Sequence, residues 1–125
     1  MVPKNLRRDG QDAEGLAAEY LKTQGYRLLE RNYRLRVGEI DIIAQEQGTI
    51  CFVEVKMRRS STFGIPFEAV TRPKMRKLIQ VANYYLKSKN LSNSRARFDV
   101  VAVTPTEEAV HFDLLKNAFW LDDVG

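Results

Sequence analysis

Apolar residues recur at helical spacing through Ala13, Leu16, Ala17, Tyr20 and Leu21, which predicts a helix from about Asp12 to Gln24. Gly25 then supplies a stop, because glycine takes up the left-handed backbone that closes a helix at little cost. The period next shortens. Three segments alternate or run apolar as strands do: Tyr26–Arg36, the least regular, then Gly38–Ala44 (GEIDIIA) and Thr49–Met57 (TICFVEVKM). Between the last two, Gln45-Glu46-Gln47-Gly48 reads as a hairpin turn. Small polar residues from Ser60 to Gly64 predict a loop. A second helix follows from about Pro73 to Lys89, with Met75, Leu78, Ile79, Ala82, Tyr85 and Leu86 in one continuous stripe. After a loop at Asn90–Ser94 comes a strand at Arg97–Thr104 (RFDVVAVT), a turn at Pro105–Glu108 and a fifth strand at Ala109–Leu115.

This order implies an α/β fold built on a mixed sheet of four to five strands flanked by helices. The hairpin is antiparallel. The strand–helix–strand unit after it crosses over right-handedly, so Thr49–Met57 and Arg97–Thr104 should lie parallel, with the long helix on one face. Neither a repeat nor a linker interrupts the chain. Residues 1–125 are read as a single domain whose first ten residues form a flexible basic arm.

Composition narrows the functions. No apolar run reaches the roughly 18 residues of a membrane span, and Met1–Gly10 lacks the apolar stretch of a signal peptide. One cysteine rules out a disulfide within the chain and a Cys/His zinc cluster, and one histidine rules out two-histidine catalysis. A reduced, cytoplasmic setting is the expectation. A net charge of +4 permits an acidic partner such as nucleic acid without requiring one.

The candidate chemistry lies in the hairpin. Side chains alternate along a strand. Glu39 and Asp41 should therefore share a face opposite Ile40 and Ile42, and Glu54 and Lys56 should share a face with Phe52. A turn centred between Gln47 and Gly48 would set Asp41 opposite Glu54 and Glu39 opposite Lys56. Two facing carboxylates repel unless a cation lies between them. A hard divalent ion such as Mg2+ (or Mn2+) suits oxygen ligands of this kind, leaving positions for water and phosphate. Lys56 would position an attacking water or meet negative charge on the phosphate. The plainer reading makes Glu54 and Lys56 the solvated face of a half-exposed strand, since a bare E-x-K is common; Asp41 at matching spacing is what sets the site apart.

Basic residues surround this centre. Arg72, Lys74, Arg76 and Lys77 crowd the start of the second helix, where free backbone N–H groups also favour anions, and Arg58 and Arg59 follow Lys56. They are either a nucleic-acid surface or a solvated basic face. Glu14, beside the apolar stripe of the first helix, is either exposed or a further metal ligand. Asp99 is either a buried structural residue or a support behind the site. His111 and Cys51 read as structural.

Six segments taken in order carry a resemblance: A-E at Glu14, GEIDIIA at 38–44, FVEVK at 52–56, FGIPFEAV at 63–70, ANYYL at 82–86 and RFDVV at 97–101. Together they resemble the small bacterial YraN family, which is assigned to the restriction-endonuclease-like (PD-(D/E)XK) superfamily and is similar to archaeal Holliday-junction resolvases. The resemblance implies a restriction-endonuclease-like fold, with the superfamily signature falling on Asp41, Glu54 and Lys56. It also implies Glu14 as an added metal ligand beside Asp41 and Glu54, with Glu39 and Gln80 as accessory residues. Gln80 and Tyr84 have the four-residue spacing that marks some related nucleases. Where proline often precedes the signature Asp, this chain has Ile40. The implied function is a metal-dependent endonuclease that hydrolyses phosphodiester bonds in DNA, including branched or damaged DNA. By analogy with the resolvases it would act as a homodimer. The alternative is a non-catalytic nucleic-acid-binding module that keeps the fold.

Overall fold

The computed structural model describes residues 10–58 and 70–119. The expected loop at Ser60–Gly64, Arg59 and residues 1–9 of the expected arm lie outside them. Five strands form one mixed sheet in the order β1-β2-β3-β4-β5. They are β1 (Arg27–Leu35), β2 (Gly38–Glu46), β3 (Thr49–Met57), β4 (Ala96–Pro105) and β5 (Val110–Phe119). Neighbours pair antiparallel except β3 and β4, which are parallel as the crossover required. Helices α1 (Gly10–Thr23) and α2 (Arg72–Ser88) pack against the sheet.

Local chemistry sets the ends of these elements. α1 begins at Gly10, slightly earlier than its apolar stripe, and closes as a Schellman motif. Gly25 has φ 92°, the Tyr26 N–H donates to the Leu21 carbonyl at 3.0 Å, and both side chains are buried. α2 ends in the same way around Asn90, with φ 58° and the Leu91 N–H on the Leu86 carbonyl at 2.7 Å. In the β2–β3 turn Gln47 and Gly48 both have positive φ, 47° and 81°, as the tight turns favoured in hairpins require. β5 runs on to Phe119, beyond the expected Leu115. Asn117 at φ 56° and a register shift between Phe98 and Val100 absorb the polar Lys116-Asn117 step, and Phe119 stacks on Phe98 at 4.4 Å.

The sheet separates two apolar cores. On the α2 side Ile40, Ile43, Phe52 and Phe98 pack with Leu78, Ile79, Val81, Ala82, Tyr85 and Leu86. On the α1 side Ile42, Ala44, Cys51, Val53, Val101 and Val103 pack with Ala13, Ala17, Ala18 and Leu21. Full burial of each larger side chain contributes about 1.5–3 kcal/mol, so both faces of the central strands must stay covered. Cys51 is plain core, and burial pushes its thiol up to about 12, which leaves it inert. Among the described residues no helix is long and apolar enough to cross a membrane.

A buried polar cluster ties β2, β4 and β5 together. Asp99 is fully buried, and its carboxylate accepts from the Tyr26 hydroxyl at 2.7 Å, Arg97 Nε at 2.9 Å and the Asn117 N–H at 2.9 Å. Arg97 also reaches Glu46 at 2.5 Å, and Lys116 caps the same glutamate at 2.8 Å. Of the two roles open to Asp99, this is the structural one. Replacing Asp99 with alanine removes the acceptor of the Tyr26 hydroxyl and of the Asn117 N–H and leaves Arg97 paired with Glu46 alone. The expected loss is about 3–5 kcal/mol, read as a lower midpoint in urea denaturation; a loss under about 1 kcal/mol would show that the cluster is not structural.

Candidate active site

The β2–β3 ladder runs from Glu46↔Thr49 to Ile42↔Val53, the register expected from the turn. Beyond that rung the strands part. The Asp41 side chain fills the gap, its Oδ2 accepting the Val55 N–H at 2.8 Å. The expected strand pairings of Asp41 with Glu54 and of Glu39 with Lys56 are therefore not found as rungs of the ladder. Glu39 stays with β1, opposite Arg34, and pairs with that guanidinium at 2.9 Å. The start of β2 also lies under α2: a Cβ at Gly38 would be in ordinary contact, 3.7 Å, with Lys77 Cβ and Val81 Cγ2.

A second expectation is corrected at the same place. Ile40 and Ile42 do not share a face: Ile40 belongs to the α2-side core and Ile42 to the α1-side core. Strict alternation thus breaks at Asp41. The neighbouring strand breaks with it, since Asn32 has φ 53° between Arg31, paired with Ile42, and Tyr33, paired with Ile40. Each strand contributes one irregular residue, so the register survives while the faces exchange.

This fork brings three carboxylates together. Glu54 is buried on the α2 side, one alternation beyond Phe52. Asp41 lies close enough to Glu54, and to Glu14 on α1, for their carboxyl groups to act on one another. Burial, then the hydrogen bond and charge of Glu54, push the Asp41 carboxyl up to about 8, although the Val55 N–H pulls the other way. Burial and the Glu39 charge raise Glu14 too, with Arg31 opposing. Glu14 Oε1 is buried with no hydrogen-bond partner among the described residues. These groups call for positive charge. Part of it comes from Lys74, whose ammonium ion-pairs with Glu54.

The donor type suits a hard divalent ion: the candidate atoms are carboxylate oxygens, and one of them is buried without a partner among the described residues. It is not a closed cage, because among the described residues no group of three or more His, Cys, Asp and Glu side chains is already arranged around one ion position. Magnesium tolerates this, since it commonly keeps several waters and takes only one or two carboxylates.

The other expected residues scatter around the fork. Lys56 shares the Glu54 side by strand alternation and is exposed. Arg58 extends β3, its N–H donating to the Val103 carbonyl at 2.8 Å, and its Nη1 is buried without a partner among the described residues. Arg72, Arg76 and Lys77 are exposed at the start of α2. Gln80 is exposed on the outward face of α2 with Tyr84, away from the buried stripe. His111 is exposed on β5. The Lys74–Glu54 pair is absent from the sequence reading, which placed Lys74 with the phosphate-binding cations. Its partners are joined only through the intervening segment, and no periodicity links them.

The raised Asp41 carboxyl has a consequence in the metal-free protein. Its folded-state pKa of about 8 lies above the ordinary 3.8, so the folded state holds the extra proton. That contribution to stability is complete below pH 3.8 and is lost as pH rises through about 8. In EDTA, urea midpoints of the parent should fall between pH 5 and pH 8. Asp41→Asn keeps an acceptor for Val55 and should flatten that slope. A slope unchanged by the substitution would remove Asp41 as its source.

Similarity to known proteins is extensive along this chain. Residues 13–103 match the uncharacterised protein family UPF0102. A UPF0102 protein of Syntrophus aciditrophicus is 49% identical over 120 residues, covering 96% of this chain and 94% of that one. One from Caldicellulosiruptor saccharolyticus is 48% identical over 117 residues, covering 92% and 99%. Among solved structures, a chain of an EndoMS–dsDNA2 complex aligns with a TM-score of 0.46 at 18% identity, over 77% of this chain and 37% of that one. A likeness of that degree transfers neither substrate nor chemistry.

Proposed function

The chain belongs to the uncharacterised protein family UPF0102, and from the acidic fork at its centre we propose that it is a divalent-metal-dependent endonuclease hydrolysing phosphodiester bonds in DNA, with branched or damaged DNA as the substrate class. The observation that carries this reading is the meeting of Glu14, Asp41 and Glu54 where β2 and β3 part. An apolar pair of strands gains nothing from setting Asp41 beside Glu54 with the Glu14 charge nearby. A cation and a phosphate give them a purpose.

Asp41 and Glu54 would hold Mg2+ or Mn2+, and Glu14 Oε1, without a partner among the described residues, would complete the acidic side. When bound, such an ion lowers the pKa of a water and draws charge from the phosphate. Lys56, on the Glu54 side of β3, orients the attacking water and faces the charge that develops on the phosphate. Arg72, Arg76 and Lys77 follow the phosphate backbone, and the first turn of α2 has no acidic residue to oppose them. A homodimer would match the two-fold symmetry of a four-way junction.

The test is cleavage of labelled linear, flapped and four-way DNA, with an RNA counterpart, in Mg2+ or Mn2+. Asp41→Asn and Glu54→Gln should each reduce cleavage by about a hundredfold or more while DNA binding persists. Full activity in either variant would remove the fork as the catalytic centre. DNA binding without cleavage by the parent in either ion would instead assign a non-catalytic nucleic-acid-binding module.

Binding itself should depend on salt, because arginine and lysine contacts release counterions. The double variant Arg76→Ala, Lys77→Ala should reduce the slope of log affinity against log salt by about one to two, measured by fluorescence anisotropy. An unchanged slope would move the binding surface away from α2.

A further inference from the structure

The two partners of the Lys74–Glu54 ion pair differ sharply in environment. The Glu54 side chain is 4% exposed, while that of Lys74 is 46% exposed. A buried carboxylate without a counter-ion is costly, which favours a cation at Glu54. The lysine is under no such constraint. Its backbone is anchored, since the Lys74 N–H donates to Thr71 Oγ at the helix cap, while its flexible four-carbon stem is half exposed.

The stem has a second place to go. Lys74 also lines a cleft of about 420 Å3 with Gly38, Glu39, Thr71, Lys77 and Leu78. The cleft opens at the start of α2, where Pro73 has no N–H and the Lys74 and Met75 N–H groups donate to Thr71, so the cations there come from side chains. Lys77 adds a second ammonium to its wall, so an anion entering there would meet two cations, while the Glu39 carboxylate on the same wall is matched by Arg34.

We propose that Lys74 is an exchangeable counter-ion: it neutralises Glu54 in the metal-free protein, yields that carboxylate to an incoming divalent cation, and then holds a substrate phosphate in the cleft beside Lys77. The inference rests on the metal-dependent reading of the fork. Its physical basis is that an ammonium and a divalent ion repel each other when they share one buried carboxylate. Exchange leaves Glu54 paired throughout and delivers the released charge to the next anion available. Metal occupancy and phosphate capture are thereby linked through one side chain, which acts as a positioning residue.

Two measurements test this on the full chain. Calorimetric titration with Mn2+ compares the parent with Lys74→Met, which removes the competing charge but keeps the stem, and with Lys74→Arg, which keeps both. Lys74→Met should bind Mn2+ about fivefold or more tightly than the parent, and Lys74→Arg close to the parent. Anisotropy with four-way DNA then compares Ca2+ with EDTA. Lys74→Met should lower the salt slope by about one in Ca2+ and leave it unchanged in EDTA. If the parent binds Mn2+ and Lys74→Met binds it equally or more weakly, exchange is overturned while the carboxylate site stands. A slope change of the same size with and without Ca2+ also overturns exchange, because Lys74 would then meet phosphate independently of the metal. Absence of Mn2+ binding in all three proteins overturns the metal site itself, and this inference with it.

Discussion

The candidate site depends on one substitution of partners: the carboxylate of Asp41 takes the Val55 N–H that a backbone carbonyl would accept if β2 and β3 stayed paired. The hydrogen bond lets the strands separate without orphaning a buried donor. Once they separate, Asp41 no longer has to point to either face of the sheet. It can meet Glu54, which faces α2, and Glu14, which comes from α1 on the other side. The site is thus a gap within the sheet layer. Each of the two helices places one charged residue there, Glu14 from one side and Lys74 from the other.

A gap of this kind weakens the sheet locally, and the remaining structure is arranged to tolerate it. Rungs from Ile42↔Val53 to the Gln47-Gly48 turn keep the hairpin in register. Apolar layers cover both faces of β3, and its parallel pairing with β4 continues past the fork to Met57↔Val103. Near the turn end of the hairpin, Asp99 and its partners join β2, β4 and β5 by charge-assisted hydrogen bonds. Both clusters contain buried charge, but they differ in how it is satisfied. The carboxylate of Asp99 has partners on both oxygens, whereas the fork leaves Glu14 Oε1 without a partner among the described residues and carboxyl against carboxyl. Full satisfaction marks the structural cluster, and incomplete satisfaction marks the one suited to a ligand.

The sequence by itself determined the strand order, because a tight turn, a helix and then an apolar strand permit few arrangements. It determined the hairpin register through Gln47-Gly48, and both helix closures were signalled by residues that favour a left-handed backbone, Gly25 and Asn90. Asp41 and Glu54 stood out as charges placed in the middle of apolar strands. These features are local, or follow from a period of two or of 3.6, and periods are visible in a single chain. Tertiary structure alone decided the rest. Strict alternation assigned Glu39 to Lys56 and Ile40 to the face of Ile42, and neither holds, because the paired irregularity at Asn32 and Asp41 turns on how β1 twists against β2. It also took packing to bring Glu14 to the fork, to set Lys74 against Glu54 and to close Tyr26 over Asp99. Those contacts join residues far apart in the chain, and their energy appears only when two helices press on opposite faces of one sheet, an arrangement that no local pattern encodes.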